Sequence, residues 1–328
     1  MLDVSALVSP ASTLEERVAV GLAIDAACRT SGFLLVTGHG IDRGLRDDLE
    51  SLHREFFDLP DEVKGRISMD RAGAAWRGWF PVGGELTSGV PDMKEGVYYG
   101  TELGPDDPRV RARTPLHGAN LFPDSPAALG PTVLRWIDEV ADLAQALLRG
   151  IALGLGVEED WFARHLTADP TVLFRAFHYP PGDTDSWGVG EHTDYGLITL
   201  LAQDHHGGLQ VSSDGSWVDV PADPYVFVVN LGDMLDRMTR GRYRSDPHRV
   251  RNLSGQDRVS FPLFLDPSWD ARVTPLPESV FADDPTPDDD VASRWDGASV
   301  HEWDGVYGDY LTAKVSRVFP DLVPDLAD

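Results

Sequence analysis

The chain has 328 residues, and its 54 Asp and Glu residues against 28 Lys and Arg residues give a formal net charge of −26. Such an acidic protein repels phosphate backbones and anionic lipids, so we expect neither nucleic acid nor a membrane as a partner. Hydrophobic residues make up 42% of the chain, which excludes wholesale disorder. The single cysteine, Cys28, excludes an intramolecular disulfide and any metal site built from several cysteines.

The sequence also lacks the usual signals for a membrane or an export pathway. No stretch approaches the about 18 consecutive apolar residues that suggest a transmembrane helix. The N-terminus, Met1-Leu2-Asp3, has neither the basic start nor the apolar core of a signal peptide. We therefore predict a cytoplasmic protein, and no segment indicates its oligomeric state.

The first part of the chain predicts a mixture of helices and strands. Thr13 and Glu16 form a capping box in front of a helix whose apolar residues recur at four-residue spacing. The run Phe33–Val36 is typical of a short buried strand. Residues 43 to about 57 predict a second amphipathic helix. A Gly-rich, aromatic stretch over residues 71–91 predicts a long loop, and loops of that length are often functional.

The rest of the chain changes from helix to short strands. After Pro131, apolar residues recur at steps of three and four, which predicts a long helix that backs the core. Five short runs between residues 171 and 265 alternate with turn residues, as in a sandwich or barrel; they are Leu197–Leu201, Gly208–Val211, Trp217–Val220, Tyr225–Asn230 and Arg258–Leu265. Residues 281–304 predict an acidic surface loop, and a last helix is expected near residues 306–318.

Two histidines have neighbours that suggest metal chemistry. His192 and Asp194 begin a strongly β run, and residues i and i+2 of a strand share a face. His248 lies where a turn leads into a strand. Two imidazoles and one carboxylate on one face of a metal leave three positions open, which is the facial triad of non-haem Fe(II) oxygenases. A His-x-Asp pair alone is weak evidence, and surface histidines that cap loops are the alternative.

A second pair of polar residues suggests a site for an anion. Arg258 and Ser260 also stand at positions i and i+2, on the last predicted strand. A guanidinium beside a hydroxyl can clamp a carboxylate, and an arginine buried inside a barrel needs an anionic partner. A bound dicarboxylate would supply it. The alternative is an exposed arginine at a strand edge, which the nearby Pro262 would favour.

Several segments in the same order resemble one known family. They are Gly190–Asp204, Gly207–Val211, Val229–Leu235, Pro247–Val250 and Arg258–Ser260. Together they resemble the isopenicillin N synthase-like family of Fe(II)- and 2-oxoglutarate-dependent dioxygenases. Weaker similarities, such as Tyr310-Leu311, extend the resemblance over almost the whole chain.

The resemblance implies a mainly β fold with flanking helices, built on a double-stranded β-helix, or jelly-roll, core. We expect residues 1–120 to form a helix and strand region that packs on this core. The core would comprise residues 121–328, with a backing helix over residues 131–155 and the C-terminal helix. We expect the two parts to form one compact unit.

The resemblance also implies a set of cofactors and the residues that hold them. Fe(II) would be bound by three ligands, His192, Asp194 and His248. The distal carboxylate of 2-oxoglutarate would meet Arg258 and Ser260, and Tyr179 matches a tyrosine that the family places before a proline. O2 would complete the reactants. Many members carry Asn two residues before that tyrosine, whereas this chain has Phe177.

The activity implied is oxidation of a small molecule by hydroxylation, desaturation or ring closure, with release of succinate and CO2. One alternative is an iron-dependent oxidase of the same fold that does not use 2-oxoglutarate, as isopenicillin N synthase and the ethylene-forming plant oxidases do not. A more distant alternative is a non-catalytic jelly-roll binding protein. Candidate substrate contacts are Arg77, Trp79 and Tyr98, although Arg77 could instead pair with Glu95.

Overall fold

The computed structural model describes residues 1–182, 186–213, 215–281 and 299–318. Within these ranges the α-helices are α1 (Ser5–Val8), α2 (Leu14–Cys28), α3 (Arg43–Phe57), α4 (Asp61–Lys64), α5 (Pro108–Arg111), α6 (Leu129–Gly154), α7 (Trp161–His165), α8 (Asp233–Met238) and α9 (Tyr307–Val318). None of these helices is long and apolar enough to cross a membrane.

The strands of the described residues form two sheets. The strands are β1 (Leu2–Asp3), β2 (Phe33–Thr37), β3 (Gly78–Phe80), β4 (Glu95–Gly100), β5 (Pro170–Tyr179), β6 (Val189–His192), β7 (Ile198–Gln203), β8 (Leu209–Ser213), β9 (Ser216–Asp219), β10 (Phe227–Leu231), β11 (His248–Val250) and β12 (Arg258–Ser268). The large sheet has the order β1-β2-β10-β7-β12-β5-β4-β3, and the small sheet has the order β6-β11-β8-β9.

The N-terminal region completes the large sheet at both edges. Strand β2 pairs with β10 on one side, and β4 pairs with β5 on the other. Residues 1–120 therefore contribute strands to the sheet as well as helices that cover it. The division of the chain near residue 120 stays a prediction.

Strand β12 shows how the large sheet separates the core from a cavity. Its residues Val259, Phe261, Leu263 and Leu265 are all 0% exposed, and the long helix α6 packs across β12, β7 and β5. The alternate residues of β12, from Arg258 to Asp266, line a cavity. Because successive side chains of a strand point to opposite faces, one strand supplies both the apolar core and the polar site.

Two predicted loops have different outcomes. Residues 71–91, expected to form a long loop, contain the end of a 3-10 helix (Met69–Ala75), strand β3 and a short 3-10 helix (Thr87–Gly89). That prediction was wrong in part, because Trp79 lies on β3, which pairs with β4, and both Trp76 and Trp79 are buried in the core, which local composition does not reveal. Most of the expected acidic loop, residues 282–298, lies outside the described residues.

Helices α2 and α6 approach each other closely at glycines. A Cβ added to Gly21 would lie 2.7 Å from the carbonyl oxygen of Gly150 and 3.0 Å from the backbone nitrogen of Gly154. These contacts are with backbone atoms, which cannot turn away as a flexible side chain could. The sequence at these positions therefore sets the spacing between the two helices that cover the sheet.

We predict that Gly21→Ala lowers the free energy of unfolding by about 1–2 kcal/mol. An overpacked contact costs about 1–3 kcal/mol, and about 2–3 kcal/mol is expected here because the contacts are with backbone; the higher helix propensity of alanine offsets about 1 kcal/mol of this. The measurement is the urea midpoint, with Gly104→Ala as the control, because a Cβ at Gly104 meets no atom within 4 Å. A Gly21→Ala variant as stable as the wild type would contradict the close packing of α2 on α6.

Candidate active site

Three candidate metal ligands converge where the small sheet faces the large one. His192 ends β6, His248 begins β11, and the two residues are directly paired across these strands. Asp194 follows β6 in the connection to β7, and its Oδ1 lies 3.8 Å from Nε2 of His192 and 3.9 Å from Nε2 of His248. The three ligand atoms lie within 4.8 Å of one another, so one ion could contact all three.

The position of Asp194 differs from the sequence-based expectation. We expected His192 and Asp194 to share a face at the start of one strand. The structure ends β6 at His192 and begins the next strand, β7, at Ile198, so Asp194 lies in the turn between them. The turn, rather than strand alternation, brings the carboxylate beside the imidazole.

Neighbouring groups orient the carboxylate of Asp194. Its Oδ2 accepts hydrogen bonds from Oγ1 of Thr199 at 2.5 Å and from Nδ2 of Asn230 at 2.7 Å. Oδ1 is left to face the two imidazoles. Such outer hydrogen bonds fix the orientation of a metal ligand, and their removal typically lowers metal affinity about 10- to 100-fold.

The three groups hold the protonation states that a metal requires. Burial lowers the pKa of His192, and burial together with the nearby His192 lowers the pKa of His248 to about 4, so both imidazoles are neutral near pH 7. Burial alone would raise the pKa of Asp194, but the two histidines and the hydrogen bonds of Asn230 and Thr199 lower it below its ordinary value. Nδ1 of His192 donates to the carbonyl of Gly190 at 2.8 Å, which leaves Nε2 free for a metal. Two neutral imidazoles and a carboxylate are a donor set that suits Fe(II).

Arg258 and Ser260 line the same cavity as the three candidate metal ligands. Both lie on β12, are 0% and 2% exposed, and line the cavity with Tyr179 from the paired strand β5. The guanidinium of Arg258 lies 4.6 Å from the centre of the Tyr179 ring, and the hydroxyls of Tyr179 and Ser260 are 3.3 Å apart. The exposed strand-edge alternative for Arg258 is therefore wrong.

The guanidinium of Arg258 is incompletely hydrogen bonded. Its Nε donates to the carbonyl of Gly207, whereas Nη1 and Nη2 are buried and have no acceptor among the described residues. A buried guanidinium without an acceptor is costly, and two adjacent N–H groups match the two oxygens of a carboxylate. The residues present therefore fit the distal carboxylate of 2-oxoglutarate.

The candidate substrate residues do not form the cavity wall. Arg77 donates to the carbonyl oxygens of Tyr99 and Leu116, and burial lowers its pKa to about 10. Nε1 of Trp79 donates to Glu95 at 2.8 Å. Neither side chain lines the cavity, and Arg77 pairs with backbone carbonyls rather than with Glu95 or a ligand.

Tyr98 is also set back from the cavity, behind residues that do line it. Its hydroxyl donates to Glu85, which lines the cavity together with Lys94 and Arg175. The sequence analysis assigned no site role to these three charged residues. It also missed Asp266, which accepts a hydrogen bond from Tyr307 at 2.5 Å and whose pKa burial raises to about 7.

Comparison with known proteins decides the family. The family model described as the 2OG-Fe(II) oxygenase superfamily matches residues 170–267, and the model described as the non-haem dioxygenase in morphine synthesis N-terminal matches residues 1–125. A probable iron/ascorbate oxidoreductase of Dictyostelium discoideum is 46% identical, over 91% of this chain and 88% of its own length. The chain belongs to the 2OG-Fe(II) oxygenase superfamily.

Other members of this superfamily match over similar lengths. A 1-aminocyclopropane-1-carboxylate oxidase of Dictyostelium discoideum is 36% identical, over 92% of this chain and 90% of its own. A homoarginine-6-hydroxylase of Glycine max is 35% identical, over 91% of this chain and 89% of its own length. The solved structure of a full-length Neurospora crassa protein in complex with alpha-KG (2-oxoglutarate) is similar, with a TM-score of 0.79, 25% identity and coverage of 96% and 95%.

These matches confirm the predicted jelly-roll fold with flanking helices and the predicted cofactor class, since Fe(II) and 2-oxoglutarate are the cofactors after which the superfamily is described. This 2OG-Fe(II) oxygenase is thus an enzyme, an oxidoreductase, and the non-catalytic binding protein considered above is set aside.

We predict that His192→Ala, Asp194→Ala and His248→Ala each reduce Fe(II)-dependent turnover by more than about 100-fold, because losing a ligand costs more than losing an outer hydrogen bond. Binding of Co(II), followed by its visible absorption, should be lost in parallel, while far-UV circular dichroism stays unchanged. His205→Ala, at an exposed histidine outside the cavity, is the control. Near-normal activity of any one of the three variants would remove that residue from the ligand set.

Proposed function

We propose that this oxygenase uses Fe(II), O2 and 2-oxoglutarate to oxidise a small molecule, by hydroxylation, desaturation or ring closure, with release of succinate and CO2. The observation that carries the proposal is the pair of buried N–H groups of Arg258 that have no acceptor among the described residues. 2-Oxoglutarate has a carboxylate at each end. The end beside the keto group can chelate iron, and the other end can then reach a guanidinium in the same cavity.

The protein residues position the co-substrate, and bound iron supplies the oxidising chemistry. Arg258 and Ser260 present a cation and a hydroxyl on one face of β12, and Tyr179 fixes the guanidinium plane by lying against it. Apolar side chains such as Phe33, Leu209 and Val250 line the same cavity and would exclude water from it when the co-substrate is bound. A dry site strengthens each charge-assisted hydrogen bond to the co-substrate.

A second candidate function is iron-dependent oxidation without 2-oxoglutarate. The names of two relatives, the probable iron/ascorbate oxidoreductase and the 1-aminocyclopropane-1-carboxylate oxidase, favour it. In that case Arg258 would bind a different carboxylate or anion. Formation of succinate discriminates between the two functions, because only the first cleaves 2-oxoglutarate.

Two further expectations complete the proposal. The partner is a small molecule, and the net charge of −26 favours neither nucleic acid nor a membrane as a partner. A cytoplasmic location stays a prediction. A relative that hydroxylates homoarginine supports a small, polar substrate for this oxygenase as well.

We predict that Arg258→Lys weakens 2-oxoglutarate binding by about 2–5 kcal/mol, the usual range for a broken buried charge pair. Lysine offers a point charge instead of a planar fork, so the two-pronged contact is lost. The measurement is an anaerobic titration of the Fe(II) protein with 2-oxoglutarate, followed by the metal-to-ligand charge-transfer band. Iron affinity should change little, because Arg258 is not among the candidate ligands.

We predict a smaller effect for Ser260→Ala, about 0.5–1.5 kcal/mol, because one ordinary hydrogen bond is removed. Ser216→Ala on the exposed strand β9 is the matched control. A wild-type protein that gives no charge-transfer band with millimolar 2-oxoglutarate would contradict the proposed function and favour the oxidase. If the band appears in Arg258→Lys at the same 2-oxoglutarate concentrations as in the wild type, Arg258 does not bind the distal carboxylate. The assignment of the iron ligands would be unaffected.

A further inference from the structure

We propose that Arg175 binds a carboxylate of the substrate, so that the enzyme acts on small organic acids, amino acids included. The inference rests on the proposed function, because it assigns a role in the same cavity.

Arg175 lies on the same face of β5 as the co-substrate residues, but further along the strand. Alternate residues of β5 line the cavity, and they are Leu173, Arg175, Phe177 and Tyr179. Tyr179 is paired with Arg258, and Arg175 stands four residues away. At about 3.3 Å per residue, the Cα atoms of Arg175 and Tyr179 are about 13 Å apart. Arg175 therefore marks a second position for an anion, separate from the one at Arg258.

The guanidinium of Arg175 has no hydrogen-bond acceptor within the described part of the chain. Its Nε is buried without a partner, and its nearest carboxylate oxygen, Oε1 of Glu85, lies 3.6 Å from Nη1. The rings of Tyr98 and Phe264 lie 4.2 and 4.7 Å from the guanidinium carbon and cover the group. Because these rings hold the guanidinium in place, its donors are preorganised for a ligand that approaches through the cavity.

Lys94 and Arg258, which also line the cavity, each have an assigned partner, whereas Arg175 does not. Nζ of Lys94 lies 2.8 Å from Oε2 of Glu85 and 2.5 Å from Oδ2 of Asp92. Arg258 is the cation that we assign to 2-oxoglutarate. Oε1 of Glu85 accepts the hydroxyl of Tyr98 and forms an ion pair with Nη1 of Arg175 at 3.6 Å, which is too long for a hydrogen bond. Among the described residues that line the cavity, Arg175 is thus the remaining cation without a hydrogen-bonded carboxylate.

A substrate carboxylate would satisfy this guanidinium. Arginine and a carboxylate form two parallel hydrogen bonds, which fix both the position and the orientation of the ligand. Holding the substrate at one end would present its remaining carbon atoms to the metal side of the cavity. Arg175 would act as a substrate-binding residue that sets specificity, and it is not required for binding iron.

The first experiment identifies the class of substrate with matched pairs of compounds. Each pair is a free acid and its methyl ester, taken from the protein amino acids and short organic acids. The readout is succinate formed by the Fe(II)- and 2-oxoglutarate-loaded enzyme. We expect the compounds that raise succinate formation above its basal rate to be free acids, and their esters to be inactive. Esters that stimulate as well as the acids would overturn the proposal.

The second experiment tests the residue. In Arg175→Met, the thioether packs between Tyr98 and Phe264, because methionine contacts aromatic rings favourably. The KM for the stimulating acid should rise about 10- to 100-fold with loss of the charge-assisted hydrogen bonds, while the 2-oxoglutarate charge-transfer titration stays as in the wild type. Arg175→Lys keeps the charge and should raise KM less. The control is Arg43→Met, which removes an exposed guanidinium 4.5 Å from the ring centre of Tyr225 and should change neither quantity.

The outcomes separate this inference from the proposed function. An unchanged KM in Arg175→Met would overturn the role of Arg175. So would weakened 2-oxoglutarate binding in that variant, because Arg175 would then belong to the co-substrate site. If the wild type forms no succinate and shows no charge-transfer band, the proposed function fails instead. The same acid and ester pairs are then compared by Fe(II)-dependent O2 consumption with ascorbate, which still decides whether Arg175 binds a carboxylate.

Discussion

The buried carboxylate of Asp194 links the two sheets, and the rest of the site depends on it. One oxygen accepts hydrogen bonds from Thr199 on β7 and Asn230 on β10, both in the large sheet. The other oxygen faces His192 and His248 of the small sheet. A charge at this depth is tolerated only when donors surround it, so the two sheets must meet here in one register. That register also places β12 beneath the metal ligands.

The cavity is built from groups whose hydrogen bonds are incomplete without a ligand. Arg258 and Arg175 each keep guanidinium donors without an acceptor among the described residues, although most buried polar groups in proteins are paired. Such groups cost stability in the free enzyme. They are held by neighbouring rings and strands, so a bound carboxylate gains its hydrogen bonds without reorganising the protein. The large sheet, which is backed by α6, supplies this rigidity.

Local sequence patterns predicted the elements that depend on local interactions. The capping box of Thr13 and Glu16 is present, α3 spans the predicted residues 43–57, and α6 lies within two residues of its predicted bounds. Spacing and family resemblance together named the three candidate metal ligands and the two clamp residues, and the structure brings these five residues to one cavity. These features could be predicted because short motifs carry them.

The remaining features depend on contacts between distant segments. Arg77 was a plausible ligand contact in sequence, but its acceptors are the carbonyls of Tyr99 and Leu116, which only the folded chain brings near. Arg175 was overlooked because nothing in the sequence shows which of its neighbours are already paired. Strand alternation places it on one face of β5, but only the pairing of Lys94 with Glu85 and Asp92 shows that Arg175 is left without a hydrogen-bonded carboxylate.

The structure of the anaerobic complex with Fe(II) and 2-oxoglutarate tests the central claim most directly. We expect Nη1 and Nη2 of Arg258 about 2.7–2.9 Å from the oxygens of the distal carboxylate. The iron should lie about 2.0–2.2 Å from the ligand atoms of His192, Asp194 and His248. A distal carboxylate bound at Arg175, or an Arg258 that still lacks an acceptor in the complex, would contradict the account.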